Sequence, residues 1–319
     1  MLPMGQPHGI GGTGGKQTTG LRLSDMAGSS NLRGVIYMLI SGATFMLNDS
    51  FMKLTMIDLP PYQTLVLRGC FALIFALLLL KYNGELSFRR SMISKPLILR
   101  GLFECFAILT YIIALAYAPI GDVTAIFQTT PLLVILGLII IYREKTSLPR
   151  LGLIVLGFIG ALLVAQPGRG TISPLVMITF ASAGFAAIRD LAARLISKDV
   201  PAMISTTVLI IIVLTGATIC GLLFEHWLMP APKHIALAVG SGLFVMLGHH
   251  FTLLAYRSAS AQAVAPFYYS FMVFAVIAGF AIFGDVPNLL SLAGMAIIVV
   301  SGLAILALEK RPLPASTLE

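Results

Sequence analysis

Charge is scarce in this sequence: 11% of its 319 residues are Asp, Glu, Lys or Arg, against 58% hydrophobic. Soluble domains carry about 25% charged residues, so an ordinary globular composition is excluded. Cysteine is almost missing as well. Cys70, Cys105 and Cys220 lie within apolar runs and at no ligand-like spacing, which leaves neither a disulfide framework nor a metal site. There is no GxxxxGK-S/T phosphate cradle, which argues against direct ATP drive. Neither an HExxH zinc pair nor a GxSxG elbow occurs, and no cofactor is expected. The formal net charge is +8, but the basic residues fall between apolar runs instead of forming one patch. No nucleic-acid partner is expected on that distribution.

What is present is a series of long apolar runs. Residues 1–32, beginning MLPMGQPHGIGGTGG, lack the basic-then-apolar order of a signal peptide and read as a disordered N-terminal tail. Beyond it, apolar spans cover 34–57, 61–80, 97–117, 120–141, 150–166, 174–196, 201–223, 235–256, 260–283 and 287–308. Each is near the roughly 20 residues that a helix needs to cross a bilayer. Breaks at Pro60-Pro61, Gly84, Pro119, Pro149, Pro167-Gly168, Pro201, Pro230 and Gly284-Asp285 separate them. With the N-terminus inside, 16 Lys and Arg residues fall on the inner side, while the outer side has only Arg169 and Lys233. Cytoplasmic segments carry the excess of Lys and Arg, so both termini are expected in the cytoplasm of a multi-pass inner-membrane protein. Residues 309–319 form a cytoplasmic C-terminal tail.

The chain also repeats itself. LNDSFMKL at 47–54 has a counterpart in IRDLAARL at 188–195, matching Asp49 to Asp190 and Lys53 to Arg194 at an offset of 141. Leu115-Ala116-Tyr117 matches Leu254-Ala255-Tyr256 at 139, and Gly152 and Gly160 match Gly294 and Gly302 at 142. Such a period divides the chain into two five-helix repeats, 33–166 and 174–308. Five is odd, so the second repeat crosses in the opposite sense. Inverted repeats with a site near the midplane are a signature of secondary transporters. The expected fold is therefore an all-α membrane protein of ten transmembrane helices.

The ends of the two halves, LAYAPIGDVTAIFQTTPLLVILGLIIIYREKTSLPRLGLIVLGFIGALLV and LAYRSASAQAVAPFYYSFMVFAVIAGFAIFGDVPNLLSLAGMAIIVVSGLAIL, resemble the EamA-domain proteins of the drug/metabolite transporter superfamily. The resemblance covers about residues 33–308. An acidic residue follows the fourth span of each half in that family, where Glu144 and Asp285 stand here. The resemblance implies transport of a small metabolite: amino acids, nucleotide-like metabolites, vitamins and amphipathic compounds are family cargoes.

Ionisable groups at membrane depth are expensive and usually face a cavity or one another. Arg68 in the second span and Glu104 in the third fall near mid-depth, close enough for a guanidinium–carboxylate bridge. They read either as a buried pair that lowers insertion cost or as a grip on a charged or zwitterionic cargo, with Arg68 suited to carboxylate. Asp49 and Lys53, four apart, share one helix face and can pair internally, as can Asp190 and Arg194. The sharper reading makes Asp49 and Asp190 proton-accepting coupling residues, with Lys53 and Arg189 beside them. In the fourth span Gln128 precedes Pro131; in the ninth, Gln262, Pro266, Tyr268 and Tyr269 fall at the matching depth. Pro131 and Pro266 would kink these helices. Asn48, Gln128, Tyr268 and Tyr269 then suit an apolar pocket with a few polar anchors, or else pack in the core. His249 and His250 point to different faces; one of them could line the pathway or shuttle protons.

Three functions compete. The first is a secondary carrier of an amino acid or related zwitterion, exporting it across the inner membrane by rocking one repeat against the other, with proton coupling or exchange. An uptake carrier for riboflavin or S-adenosylmethionine is the alternative cargo. The second class is an intramembrane aspartyl enzyme, but a basic residue four positions after each Asp opposes a proton-sharing dyad. The third is a lipid scramblase or receptor. Expected partners are a small molecule, the bilayer and protons, with the chain a monomer or homodimer. Reporter fusions test the topology: fluorescent tags at both termini should fluoresce in the cytoplasm, and a periplasm-dependent phosphatase should be active after residue 230 and inactive after residue 198.

Overall fold

The computed structural model describes residues 19–82, 94–141, 143, 147–165, 174–193, 195–197, 200–259 and 264–309. Helices account for nearly all of them. They are α1 (Thr19–Thr55), α2 (Pro61–Tyr82), α3 (Lys95–Tyr117), α4 (Ile120–Phe127), α5 (Thr130–Ile140), α6 (Leu148–Ala165), α7 (Pro174–Ala193), α8 (Ala202–Phe224), α9 (Pro232–Ser258), α10 (Ser270–Ala278) and α11 (Leu289–Glu309). A 3₁₀ turn, Ala265–Tyr269, precedes α10, and a π turn, Gly279–Phe283, follows it. Among the described residues, seven helical segments are long and apolar enough to cross a membrane, and three shorter apolar segments accompany them. With α4 and α5 as one broken span, and the 265–283 segment as another, these make ten spans. Helix α1 starts at Thr19, so fourteen of its residues, 19–32, fall inside the segment expected as tail.

Proline sets many of the starts. Pro61, Pro174 and Pro232 open α2, α7 and α9, and Pro201 stands just ahead of α8. The first turn has no intrahelical use for the missing N–H. Ser94 caps α3 by accepting from the Leu97 N–H at 3.4 Å.

Pro131 lies in the first turn of α5 instead of kinking a continuous helix. The carbonyl it cannot engage, that of Phe127, accepts the Thr130 hydroxyl at 2.6 Å, and Thr129 serves Ile126 in the same way at 2.7 Å. At the far end of the other broken span, Gly284 adopts a left-handed φ of 69°, which lets the Asp285 N–H reach back to the Gly279 carbonyl.

Helix packing joins the two halves more than it joins neighbours in sequence. Helix α1 packs along α9, α3 along α7 and α6 along α11, while α2 lies against both α8 and α9. Helix α3 also touches α8, α5 touches α7, α10 touches α1, and α4 touches α10. Exchanging each span with the one five later converts α1·α9 into α3·α7, α2·α9 into α3·α8, and α5·α7 into α1·α10; the others map onto themselves. Close approach depends on small residues. A Cβ on Gly160 would lie 2.8 Å from the Gly294 carbonyl, so α6 and α11 meet backbone to backbone there. Gly152, by contrast, faces open space. Ser41 fastens α1 to α9 through the Gly248 carbonyl at 2.9 Å and Thr252 at 2.7 Å.

One end of the bundle, here the Asp58 end, is strapped shut between the α1–α2 and α8–α9 connections. Glu225 accepts from the backbone N–H groups of Tyr62 and Gln63 at 2.8 and 2.9 Å, capping α2 from the other half of the chain. Gln63 exchanges two hydrogen bonds with the Leu228 backbone. Asp58 meets the Lys233 ammonium at 2.6 Å and the His234 Nε2 at 3.0 Å. The hydrogen bond from Lys233, then that from His234, holds the Asp58 carboxyl below its ordinary range. A depressed carboxylate contributes stability above its unfolded pKa of about 3.9 and loses it as pH falls toward the folded value. The melting temperature of the parent in detergent should therefore fall more steeply below about pH 4 than that of Asp58→Asn; parallel curves would remove Asp58 from the strap's energetics.

Candidate functional site

Five helices and the start of the ninth span bring ionisable groups to the bundle interior. Glu104 on α3 accepts from Arg189 Nη1 on α7 at 2.8 Å, and Arg189 Nε donates to Asp190 at 2.8 Å. Arg100, one turn before Glu104, bonds the Ser205 hydroxyl at 2.8 Å and interacts electrostatically with Glu104, Arg189 and Asp190. His249 on α9 sits in the field of Glu104 and of Arg68, Arg100 and Arg189, and its ring meets the edge of Phe45 at 5.1 Å.

His249 and Tyr268 are exposed even though charged groups of α2, α3 and α7 surround them. The Asp190 side chain is 42% exposed beside the 17% of Arg189. Groups that face the interior and still meet solvent-sized space line a cavity. Its charges balance: Arg68, Arg100 and Arg189 give +3, and Asp49, Glu104 and Asp190 give −3. A low-dielectric cavity with separated charges of both signs suits a dipolar guest.

Several sequence expectations change here. Arg68 does not bridge Glu104, whose partner is Arg189. The reason is packing: α3 runs along α7 and has little contact with α2. Arg68 stays within electrostatic range of Asp49 and Glu104, and its buried Nε has no hydrogen-bond partner. Asp49 does not pair with Lys53 either. Tyr111 donates to its Oδ2 at 2.7 Å and Asn48 to its Oδ1 at 2.8 Å. Lys53 turns toward the C-terminal end of α3, bonding the Leu115 carbonyl at 3.1 Å and the Ala118 carbonyl, with the Phe283 ring 5.4 Å away. The exposed carbonyls of a helix C-terminus attract a cation, so the backbone outcompetes the carboxylate one turn away.

Tyr268 faces the polar interior, whereas Tyr269 is buried among Ala125, Ile126, Met272 and Met295 as a packing residue. Gln128 is 1% exposed and donates to the Tyr268 carbonyl at 3.2 Å, so it couples the two broken spans instead of facing the cavity. Pro131 and Pro266 both lie in first turns, of α5 and of the 3₁₀ turn. Arg194, Gln262 and Glu144 lie outside the described residues.

Two groups went unnoticed in the sequence: Tyr111 and Arg100. Both share a face of α3 with Glu104, at spacings of seven and four, and that helical register was the available signal. Two further pockets, of about 160 and 260 Å³, lie at the Asp58 end around Asp122, away from this cavity.

Comparisons with known proteins place this geometry in context. Residues 32–166 match the model of the EamA-like transporter family. The S-adenosylmethionine uptake transporter of Rickettsia conorii is 28% identical over 88% of this chain and 94% of its own length. The riboflavin transporter of Vibrio cholerae is 29% identical, covering 85% and 91%. The pseudopaline exporter of Pseudomonas aeruginosa is 25% identical, covering 87% and 97%. A crystal structure with 18% identity shares the fold at a TM-score of 0.62, over 90% of this chain and all of the other.

The ion pair predicts a non-additive result. Arg189→Gln should destabilise the protein by about 3–5 kcal/mol, because it strands the Glu104 charge, and Glu104→Gln should cost less, because Arg189 keeps Asp190 as a partner. The double variant should recover much of that loss in a detergent melt, and additive single losses would contradict the pairing.

Proposed function

We propose that this chain, which belongs to the EamA-like transporter family of the drug/metabolite transporter superfamily, is a secondary carrier of a small zwitterionic metabolite built around a carboxylate. The observation that carries this reading is the charge-balanced interior cavity, where the Arg68 Nε is left without a partner. Arg68 offers a planar fork to a carboxylate. Exposed Tyr268 and His249 offer polar and aromatic surface to the rest of the guest.

The relatives support an amino-acid derivative, since S-adenosylmethionine carries a methionine portion. They include uptake and export proteins, so they favour neither direction. A second reading, a flavin-like vitamin as cargo, draws support from the riboflavin transporter of similar identity.

The helix exchange pattern supports reading the halves as inverted repeats. It does not support rocking of one half as a rigid body against the other, because α1·α9 and α3·α7 bind the halves together along their length. The moving bodies we infer are α1, α2, α9 and the 265–283 segment on one side, and α3, α7, α8 and the 120–140 segment on the other. Each draws helices from both halves.

Purified protein in liposomes tests the function. Labelled S-adenosylmethionine or methionine should exchange across the membrane, and Arg68→Gln should abolish exchange while the protein still melts cooperatively. Asp49→Asn and Asp190→Asn should remove the response to an imposed pH gradient; if both keep it, neither carboxylate couples. Flux of riboflavin without flux of either amino acid would select the second cargo.

A further inference from the structure

The unpaired state of Arg68 is unusual given its surroundings, because two carboxylates lie within its electrostatic range. A guanidinium beside a free carboxylate in a low-dielectric interior would ordinarily close on it. Both carboxylates already hold other donors that orient them, Glu104 through one oxygen and Asp49 through both. Glu104 is held by Arg189. Asp49 has each oxygen taken by a different donor: the Tyr111 hydroxyl on Oδ2 and the Asn48 carboxamide on Oδ1.

The donors are themselves fixed. The Ser241 hydroxyl of α9 donates to the Asn48 Oδ1 at 2.7 Å, which turns the amide so that its NH₂ group faces Asp49. The Tyr111 ring lies 5.0 Å from that of Phe127, edge to face, which restricts its swing. Asn48, Asp49 and Ser241 are all buried.

We infer that Tyr111 and Asn48 are positioning residues: by engaging both oxygens of Asp49 and holding the carboxylate turned toward themselves, they keep the Arg68 guanidinium open as the anchor for the cargo's carboxylate. The inference rests on the carrier reading above and adds the residues that set its preference for anionic groups. Asp49 then acts at a distance. It lowers the cost of a buried cation without blocking it. Removing the Tyr111 hydroxyl frees Oδ2 and gives Arg68 an internal partner, which competes with the cargo.

The test uses purified full-length protein and two probes, S-adenosylmethionine and 5′-methylthioadenosine, which lacks the amino-acid portion. The parent should prefer the former, and Tyr111→Phe should reduce that preference about tenfold, close to the effect of one hydrogen bond to a charged group. Tyr111→Phe/Asp49→Asn should restore it, since no carboxylate remains to capture Arg68. A merely structural role for Tyr111 would leave the double variant as poor as the single one.

A second measurement needs no cargo. With ¹⁵N-labelled arginine, and Arg68→Lys to assign the signal, the Arg68 Nε–H resonance should shift and exchange more slowly with water in Tyr111→Phe, and return in the double variant. An unchanged Nε–H signal in Tyr111→Phe overturns the positioning role. A shifted signal without any preference between the probes upholds it and overturns the choice of cargo.

Discussion

The Glu104–Arg189 ion pair ties α3 of the first half to α7 of the second at a depth where lipid offers no hydrogen-bond partner. An ion there is tolerable only when the protein supplies both the counter-charge and the remaining hydrogen bonds. That requirement propagates. Arg189 uses its Nε on Asp190, Arg100 bonds Ser205 through Nη1, and Glu104 turns its Oε2 to Arg189 and away from Arg68. The pairing of helices across the halves and the distribution of free and committed charges are two aspects of the same constraint. Helix α3 runs beside α7 instead of α2, and the guanidinium of α2 is left facing the interior.

The two broken spans answer the same constraint in the backbone. A proline at membrane depth removes a donor, and a carbonyl without a partner is costly there. In the first broken span the loss is met within a single turn, where the hydroxyls of Thr129 and Thr130 satisfy the carbonyls of Ile126 and Phe127. The FQTTP run therefore reads as a repaired helix break. Gln128, next to the break, spends its amide on the Tyr268 carbonyl, so the two breaks are coupled to each other. This coupling puts Tyr268 toward the cavity and Tyr269, its neighbour, into apolar packing with Ile126 and Met295.

The spans and their proline starts are legible in the sequence because each depends on local composition. Partner choice is not local. Asp49 and Lys53 are one turn apart, and the i, i+4 rule would pair them. Tyr111 and two α3 carbonyls, about 60 residues on, are better partners, and their proximity follows from the α1–α3 arrangement rather than from α1 itself. Arg68 and Glu104 mislead for the same reason: consecutive helices need not be the ones that pack. The useful signal lay on one helix face, where Arg100, Glu104 and Tyr111 recur at helical spacing. It identifies α3 as the helix that organises the interior, though not which groups it meets.

The distribution of fixed and unfixed groups also bears on how such a bundle can move. At the Asp58 end, Glu225, Gln63 and the Asp58–Lys233–His234 cluster join the α1–α2 and α8–α9 connections through polar contacts that water can replace. The Lys233–Asp58 pair is exposed, and such pairs contribute little to stability and exchange readily with solvent. The contacts along α1·α9 and α3·α7 differ in kind: they are buried, apolar or fully committed, and nothing in the membrane replaces them. A conformational change that opens this end by separating the proposed bodies therefore breaks the Glu225 contacts to the start of α2, keeps the Asp58–Lys233–His234 cluster within the body of α1, α2 and α9, and preserves the irreplaceable contacts. That condition is met when the bodies that separate are cross-half bundles, each carrying its long helix pair intact. In the proposed motion Arg68 on α2 and Glu104 on α3 belong to opposite bodies, and the proposed cargo carboxylate at Arg68 would add its charge to the interface between them.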